Sequence, residues 1–173
     1  VNCIKSATCV ILDYNNIIKG FYMLMLLLAS LTANAEDFYK KYDWEVLPSI
    51  EICPDSNVSI EEVKTSLQFW ADKIDFKYKS LKKVKECTKG KENTIQFSNG
   101  GNVNINVELG KTDVYTYNWS DNPNKMYVDY AIIKIPNNTQ YSHLKQDVIT
   151  HELGHAIGFG HSSSGVMHRS LDQ

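Results

Sequence analysis

His151, Glu152, His155, Gly158 and His161, followed six residues later by Met167, are the residues whose types and spacing could do chemistry in this 173-residue chain. On an α-helix, positions i and i+4 lie one above the other, so His151 and His155 can present their imidazoles to a single cation. Glu152 projects from the adjacent edge of the same turn. A third ligand cannot come from further along a straight helix, because His161 would be carried past the ion. Gly158 can end the helix in a left-handed conformation and turn the chain, which lets His161 approach from another side. Three neutral imidazoles around one Zn²⁺ leave a fourth position for water, the arrangement of a catalytic site. Glu152 can then hold that water and act as general base, since the ion brings the water pKa from about 15.7 towards about 7. At average composition, chance would place these five residues in a chain of this length on the order of once in 10⁵.

Three histidines at this spacing with a following methionine form the signature of the metzincin zinc peptidases. Within that group, Ser162 directly after His161 resembles the matrixins, the catalytic domains of the matrix-metalloproteinase type. Residues 142–168, SHLKQDVITHELGHAIGFGHSSSGVMH, resemble the matrixin active-site helix, loop and methionine turn. The resemblance implies zinc ligands at His151, His155 and His161, a general base at Glu152, and Met167 lying beneath the metal without ligating it. It also implies an α+β zincin-like domain: a twisted mixed sheet, a long N-terminal helix, and the zinc helix followed by a methionine turn. In that family the substrate lies extended along an edge strand above the zinc. Lys111 to Trp119 is where this chain would place that edge, with Val114, Tyr115 and Tyr117 along it. An ordinary amphipathic strand is an equally good reading of the two tyrosines.

Two departures stand out. Arg169 occupies the place where astacins and serralysins carry a tyrosine, so no tyrosine switch is expected. His168 to Gln173 alone follow Met167, where matrixins continue into a pocket wall and a C-terminal helix, so a short C-terminal subdomain with an open, shallow pocket is expected. The function implied is a secreted zinc metalloendopeptidase acting on protein or peptide substrates. The alternative is a non-catalytic zinc-containing module that binds peptides or a partner, and the presence of Glu152 speaks for catalysis.

The elements that must position these residues are coarsely readable. Ser142 follows a polar loop as the N-cap of the zinc helix, whose Leu144, Val148, Ile149 and Leu153 recur at helical spacing and form its buried face. Upstream, Trp44 to Ile52 alternates as a first strand. Ser59 caps a helix that buries Val63, Leu67, Trp70, Ala71 and Ile74, with Glu61 and Glu62 in the dipole-favoured first turn. Further strands are expected at Phe76 to Lys79, Thr94 to Phe97, Val103 to Leu109, Val114 to Trp119 and Tyr127 to Ile135. Turn signals such as Asn99-Gly100-Gly101-Asn102 separate them.

The N-terminus carries a different kind of signal. Phe21 to Leu31 is almost wholly apolar, Lys19 precedes it, and Ala33-Asn34-Ala35 is a small-x-small cleavage pattern. Residues 1–35 therefore read as a lead-in and removed signal peptide, with Met23 a natural start, and residues 36–173 as the peptidase domain. The apolar run falls short of the roughly 20 residues a membrane span requires, so no stable anchor is expected. Export would leave the protein extracellular, or periplasmic in a bacterium. Cys3 and Cys9 fall in the removed part, leaving Cys53 and Cys87 as a candidate disulfide. Cys53-Pro54-Asp55 faintly resembles the matrixin latency cysteine, but too few residues precede it for a propeptide fold. A net charge of −2 argues against nucleic acid as a partner. A monomer is expected. Calcium could bind through Asp113, Asp121 or Asp129, although no spacing argues for it. Asn57, Asn118 and Asn137 head glycosylation sequons that matter only in a eukaryotic host.

Overall fold

The computed structural model describes residues 38–101, 103, 108–119, 122–137 and 142–169, all of them within one unit, Asp37–Gln173. The signal-peptide reading, Cys3, Cys9 and Asp121 lie outside the described residues. So does most of the expected strand Val103–Leu109, of which Val103, Glu108 and Leu109 are described and are not in a strand.

The chain is α+β, with a mixed five-stranded sheet in the order β2-β1-β3-β5-β4. Its strands are β1 (Ser49–Ile52), β2 (Ser80–Lys83), β3 (Thr94–Asn99), β4 (Lys111–Asn118) and β5 (Met126–Ile135). All pairings are parallel except that of β4 with β5, which leaves β4 as an antiparallel edge. Period-two alternation assigns the faces. Ile50 pairs with Ile95 and then Ala131, while Ile52 pairs with Phe97 and then Ile133, giving two apolar rows. Those rows face two helices, α1 (Ile60–Ile74) and α2 (Lys145–Ala156), and the core between them is built around Trp70, Leu67, Ile149 and Leu153.

The opposite row carries Glu51 and Gln96. Glu51 is only 2% exposed, and its carboxylate is held by Lys91 at 2.5 Å and Lys82 at 3.6 Å. These bonds, with a weaker one from Gln96, hold it below the usual carboxylate range against the penalty of burial. The segment after β2 runs near this face and is tied to the end of β1 by the Cys53–Cys87 disulfide, whose Cα atoms are 5.5 Å apart.

The expected β1 was too long at its start. Trp44 to Pro48 does not join the strand, because Pro48 has no N–H for a ladder and Trp44 turns its indole to donate to the Ala156 carbonyl at 3.0 Å. The expected strand Phe76–Lys79 does not form, and β2 lies directly after it, at Ser80–Lys83. Asp75 takes a left-handed conformation at the end of α1, and residues 76–79 carry the chain back to the sheet. The capping box at α1 is as the sequence composes it: Ser59 Oγ accepts from the Glu62 amide at 3.2 Å, and Glu62 accepts from the Ser59 amide at 2.7 Å.

Ser142 does not cap α2. Ser142–Leu144 form a 3₁₀ turn, and α2 starts after Leu144 with no side-chain cap. Side chains of its first turn tie it to α1 and to the segment before α1: Lys145 donates to the Asn57 carbonyl at 2.8 Å and Gln146 to the Glu62 carbonyl at 3.1 Å. Seven consecutive residues of α2, Val148 to Gly154, are buried. The helix is enclosed on nearly all sides, a situation in which amphipathic periodicity is weak.

Candidate metal centre

His151 and His155 lie one turn apart on α2, and the turn between them is pinned from below. Gly154 has no room for a side chain, since a Cβ there would run into Met167 Sδ and stand 2.5 Å from the Trp70 indole. Met167 is fully buried, and Trp70 donates its indole N–H to the Thr150 carbonyl at 2.9 Å. Gly158 has φ +109°, a conformation L side chains rarely adopt, and a Cβ on it would strike the Tyr42 carbonyl oxygen. The chain turns there as its residue type requires. The turn is held by an N-terminal strap: Lys41 and Tyr42 donate to the Gly158 carbonyl at 2.7 and 3.2 Å, and Gly160 donates to the Tyr39 carbonyl at 2.8 Å. Phe159 stacks on Trp70 with centroids 5.3 Å apart, and Phe38 packs against both. These contacts carry the next residue, His161, to the end of α2.

The three histidines converge. One ring nitrogen from each of His151, His155 and His161 lies within 4.8 Å of the others, with His151 buried, His155 half-buried and His161 exposed. Their hydrogen bonds determine which nitrogens point inward. His151 Nδ1 meets the Val166 carbonyl at 2.7 Å, and His155 Nδ1 meets the Phe159 carbonyl at 2.9 Å. A carbonyl oxygen can only accept, so in both rings Nδ1 carries the proton and the neutral Nε2 bears a lone pair. The two Nε2 atoms face each other at 3.0 Å. Opposed lone pairs at that distance repel unless a cation accepts both.

A proton is a poor candidate, because burial lowers all three histidines from their ordinary value, His155 to about 4. A metal ion fits the donor set. Tetrahedral zinc at about 2.0–2.1 Å from each nitrogen places ligand atoms about 3.4 Å apart, and backbone carbonyls fixing Nδ1–H are the usual outer partners of such ligands. The exposure of His161 leaves that side open.

Glu152 sits on the adjacent edge of α2 and is 7% exposed. Burial pushes its carboxyl up to about 7, with Glu108 adding to the rise and a hydrogen bond from Thr112 opposing it. Thr112, on β4, places its hydroxyl 2.6 Å from Glu152 Oε2 and 2.9 Å from the Glu152 carbonyl oxygen. Nothing in the sequence marks Thr112 or the Tyr39–Tyr42 strap. A period-two reading does put Thr112 on the same face as Val114, but only the register with β5 shows that this face meets α2.

β4 is an edge strand, where the substrate-pairing segment was expected. Its named residues divide between two faces. Val114 aligns with Ala131 on the helix side, whereas Tyr115 pairs with Tyr130 on the opposite side, their rings 4.2 Å apart. Tyr117 donates its hydroxyl to Glu45 at 2.7 Å, which pushes the phenol up to about 12. Both tyrosines pack cross-strand on this surface, Tyr117 against Tyr127 with centroids 5.9 Å apart. Asp113 is paired with Lys134 at 2.6 Å, and among the described residues the three histidines are the group arranged to hold a metal. His143, in the 3₁₀ turn, is exposed and apart from them. Asn57 donates its amide to the Pro136 carbonyl at 3.1 Å, so its side chain is committed to the fold.

A cavity of about 650 Å³ opens between α1, α2 and the loop before Met167, lined by Phe69, Gln146, Thr150, Ser164, Val166 and His168 among others. None of the three histidines, nor Glu152, lines it. It lies behind the metal centre, on the side where Val166 holds His151. Comparison with family models finds none that matches the chain, and no curated protein matches it, so the chemistry of the site is judged from its own residues.

Proposed function

We propose that this protein is a zinc-dependent endopeptidase of the matrixin type, exported from the cell and acting on protein or peptide substrates. The observation that carries the reading is the pair of bare, mutually facing Nε2 atoms on His151 and His155, with His161 completing the set and a buried carboxylate one residue away. Zinc, when bound, supplies Lewis acidity, bringing the pKa of a water near neutrality and polarising a carbonyl. The chain does the rest. Glu152 takes the proton of the attacking water and passes it to the departing amine. Among the described residues the outer edge of β4 has no strand beside it and offers backbone groups to an extended peptide, which favours broad cleavage with selection by side-chain pockets. The Cys53–Cys87 disulfide agrees with an oxidising destination.

The test is cleavage of a quenched peptide library by the purified protein. Activity should vanish on chelation and return with zinc. Zinc binding without turnover of any peptide would favour a binding module instead.

A further inference from the structure

We infer that Thr112 is a positioning residue for Glu152, holding its carboxyl group in one orientation through the whole reaction; this rests on the peptidase reading above. Sheet register puts it there. The apolar row Ile52, Phe97 and Ile133 continues onto the edge strand at Thr112, so a hydroxyl stands where the row would otherwise end in a further apolar side chain. Among the described residues, that hydroxyl is the donor the Glu152 carboxyl meets, at 2.6 Å. Gly110 closes the other flank with bare backbone: a Cβ there would stand 2.9 Å from Glu152 Cγ and 2.7 Å from Val148 Cγ1. The glutamate has little room to swing.

The hydroxyl has one proton and two acceptors in reach, Glu152 Oε2 and the Glu152 carbonyl oxygen at 2.9 Å. It can donate to the carboxylate. Once the carboxyl has taken a proton from water on its other oxygen, Oε2 is the carbonyl oxygen of the acid and still accepts from Thr112. One hydrogen bond then serves both forms of the base, and the carboxyl group does not move. An unanchored glutamate would have to be ordered in each cycle, against the entropy of its three rotatable bonds.

The experiment compares Thr112→Val, which keeps the shape and removes the hydroxyl, with Thr112→Ser, which keeps the hydroxyl. In the zinc-loaded protein, Thr112→Val should lower kcat about 10- to 100-fold with KM and zinc content unchanged, the scale expected when a catalytic group is misplaced. Thr112→Ser should restore kcat to near the original value. An independent reading comes from the zinc-free protein by carbon-13 NMR. The Glu152 carboxyl resonance should move in Thr112→Val and stay in place in Thr112→Ser.

Unchanged kcat in Thr112→Val, equal losses in both variants, or a rise in KM alone would overturn the inference. A wild-type protein that cleaves nothing would count against the peptidase reading. The Glu152 resonance would still decide the contact, and no movement in Thr112→Val would overturn it.

Discussion

His155 and Glu152 are neighbours on one helix and should fail in different ways. His155→Ala removes a ligand and its bond to the Phe159 carbonyl, and should abolish zinc retention as measured by elemental analysis, against one zinc per chain in the parent. Glu152→Gln keeps an acceptor for Thr112 and should keep zinc and fold, yet lower kcat/KM by about 10²- to 10⁴-fold, the usual worth of a general base. Near-normal turnover by that variant would refute the assigned role. Proton linkage gives a further expectation for the metal-free protein. Burial holds the folded pKa values of all three histidines below their ordinary 6.5, so the stability they contribute is present above that pH and is lost as pH falls, for His155 towards about 4. Glu152 runs the other way: its pKa rises from 4.5 to about 7, so its contribution is full below 4.5 and is lost as pH climbs to 7. His155 and Glu152 shift by similar amounts in opposite directions and offset each other, so the lowering of His151 and His161 sets the net sign. Urea midpoints of the metal-free protein should therefore rise with pH from 4.5 to about 6.5 and then dip slightly, and a steady decline across that range would contradict the burial argument.

At the level of elements, the third ligand depends on a turn rather than on a helix. Gly158 combines a φ of +109° with backbone contact to the strap at Tyr42, so Gly158→Ala adds strain and a clash together. It should cost about 1–3 kcal/mol in stability, the range for one residue forced into such backbone, and should weaken zinc binding because His161 follows three residues later. Denaturation and a competitive zinc titration on the same protein would check both. If stability falls while zinc affinity holds, the strap and turn are structural only. α2 is governed by packing more than by its ends: it has no side-chain cap, and side chains of its first turn tie it to α1 and to the segment before α1.

For the molecule as a whole, the disulfide and the three-histidine group lie on different elements and should act independently. Cys53–Cys87 joins residues 34 apart in sequence, and the chain-entropy relation assigns closure of such a loop about 4 kcal/mol. Replacing both cysteines with alanine should lower the denaturation midpoint accordingly. Zinc stoichiometry should be unchanged under conditions where the variant remains folded, since neither cysteine is among the metal-holding residues. Loss of zinc in the folded variant would show that the two ends of the sheet are coupled.

What the sequence by itself determined is local in origin. The i, i+4 spacing brought His151 and His155 to one face, Gly158 could take the turn that only glycine tolerates, Ser59 and Glu62 composed a capping box, and two cysteines beyond the apolar leader formed a pair. Each of these depends on residues a few positions apart or on a simple count. Tertiary structure decided the rest. Trp44 left the expected first strand because its indole found a carbonyl on α2, 112 residues away. Ser142 is drawn into a 3₁₀ turn and does not cap, and α2 is buried nearly all round although its sequence shows only a modest apolar stripe. Tyr115 and Tyr117 stood out in the sequence as aromatic residues of a candidate edge strand, yet sheet register turned Tyr115 away from the histidines and brought Thr112, a residue with no local signature, onto Glu152. Register, edges and straps join segments tens of residues apart, and no periodicity within a single segment encodes where its partners will lie.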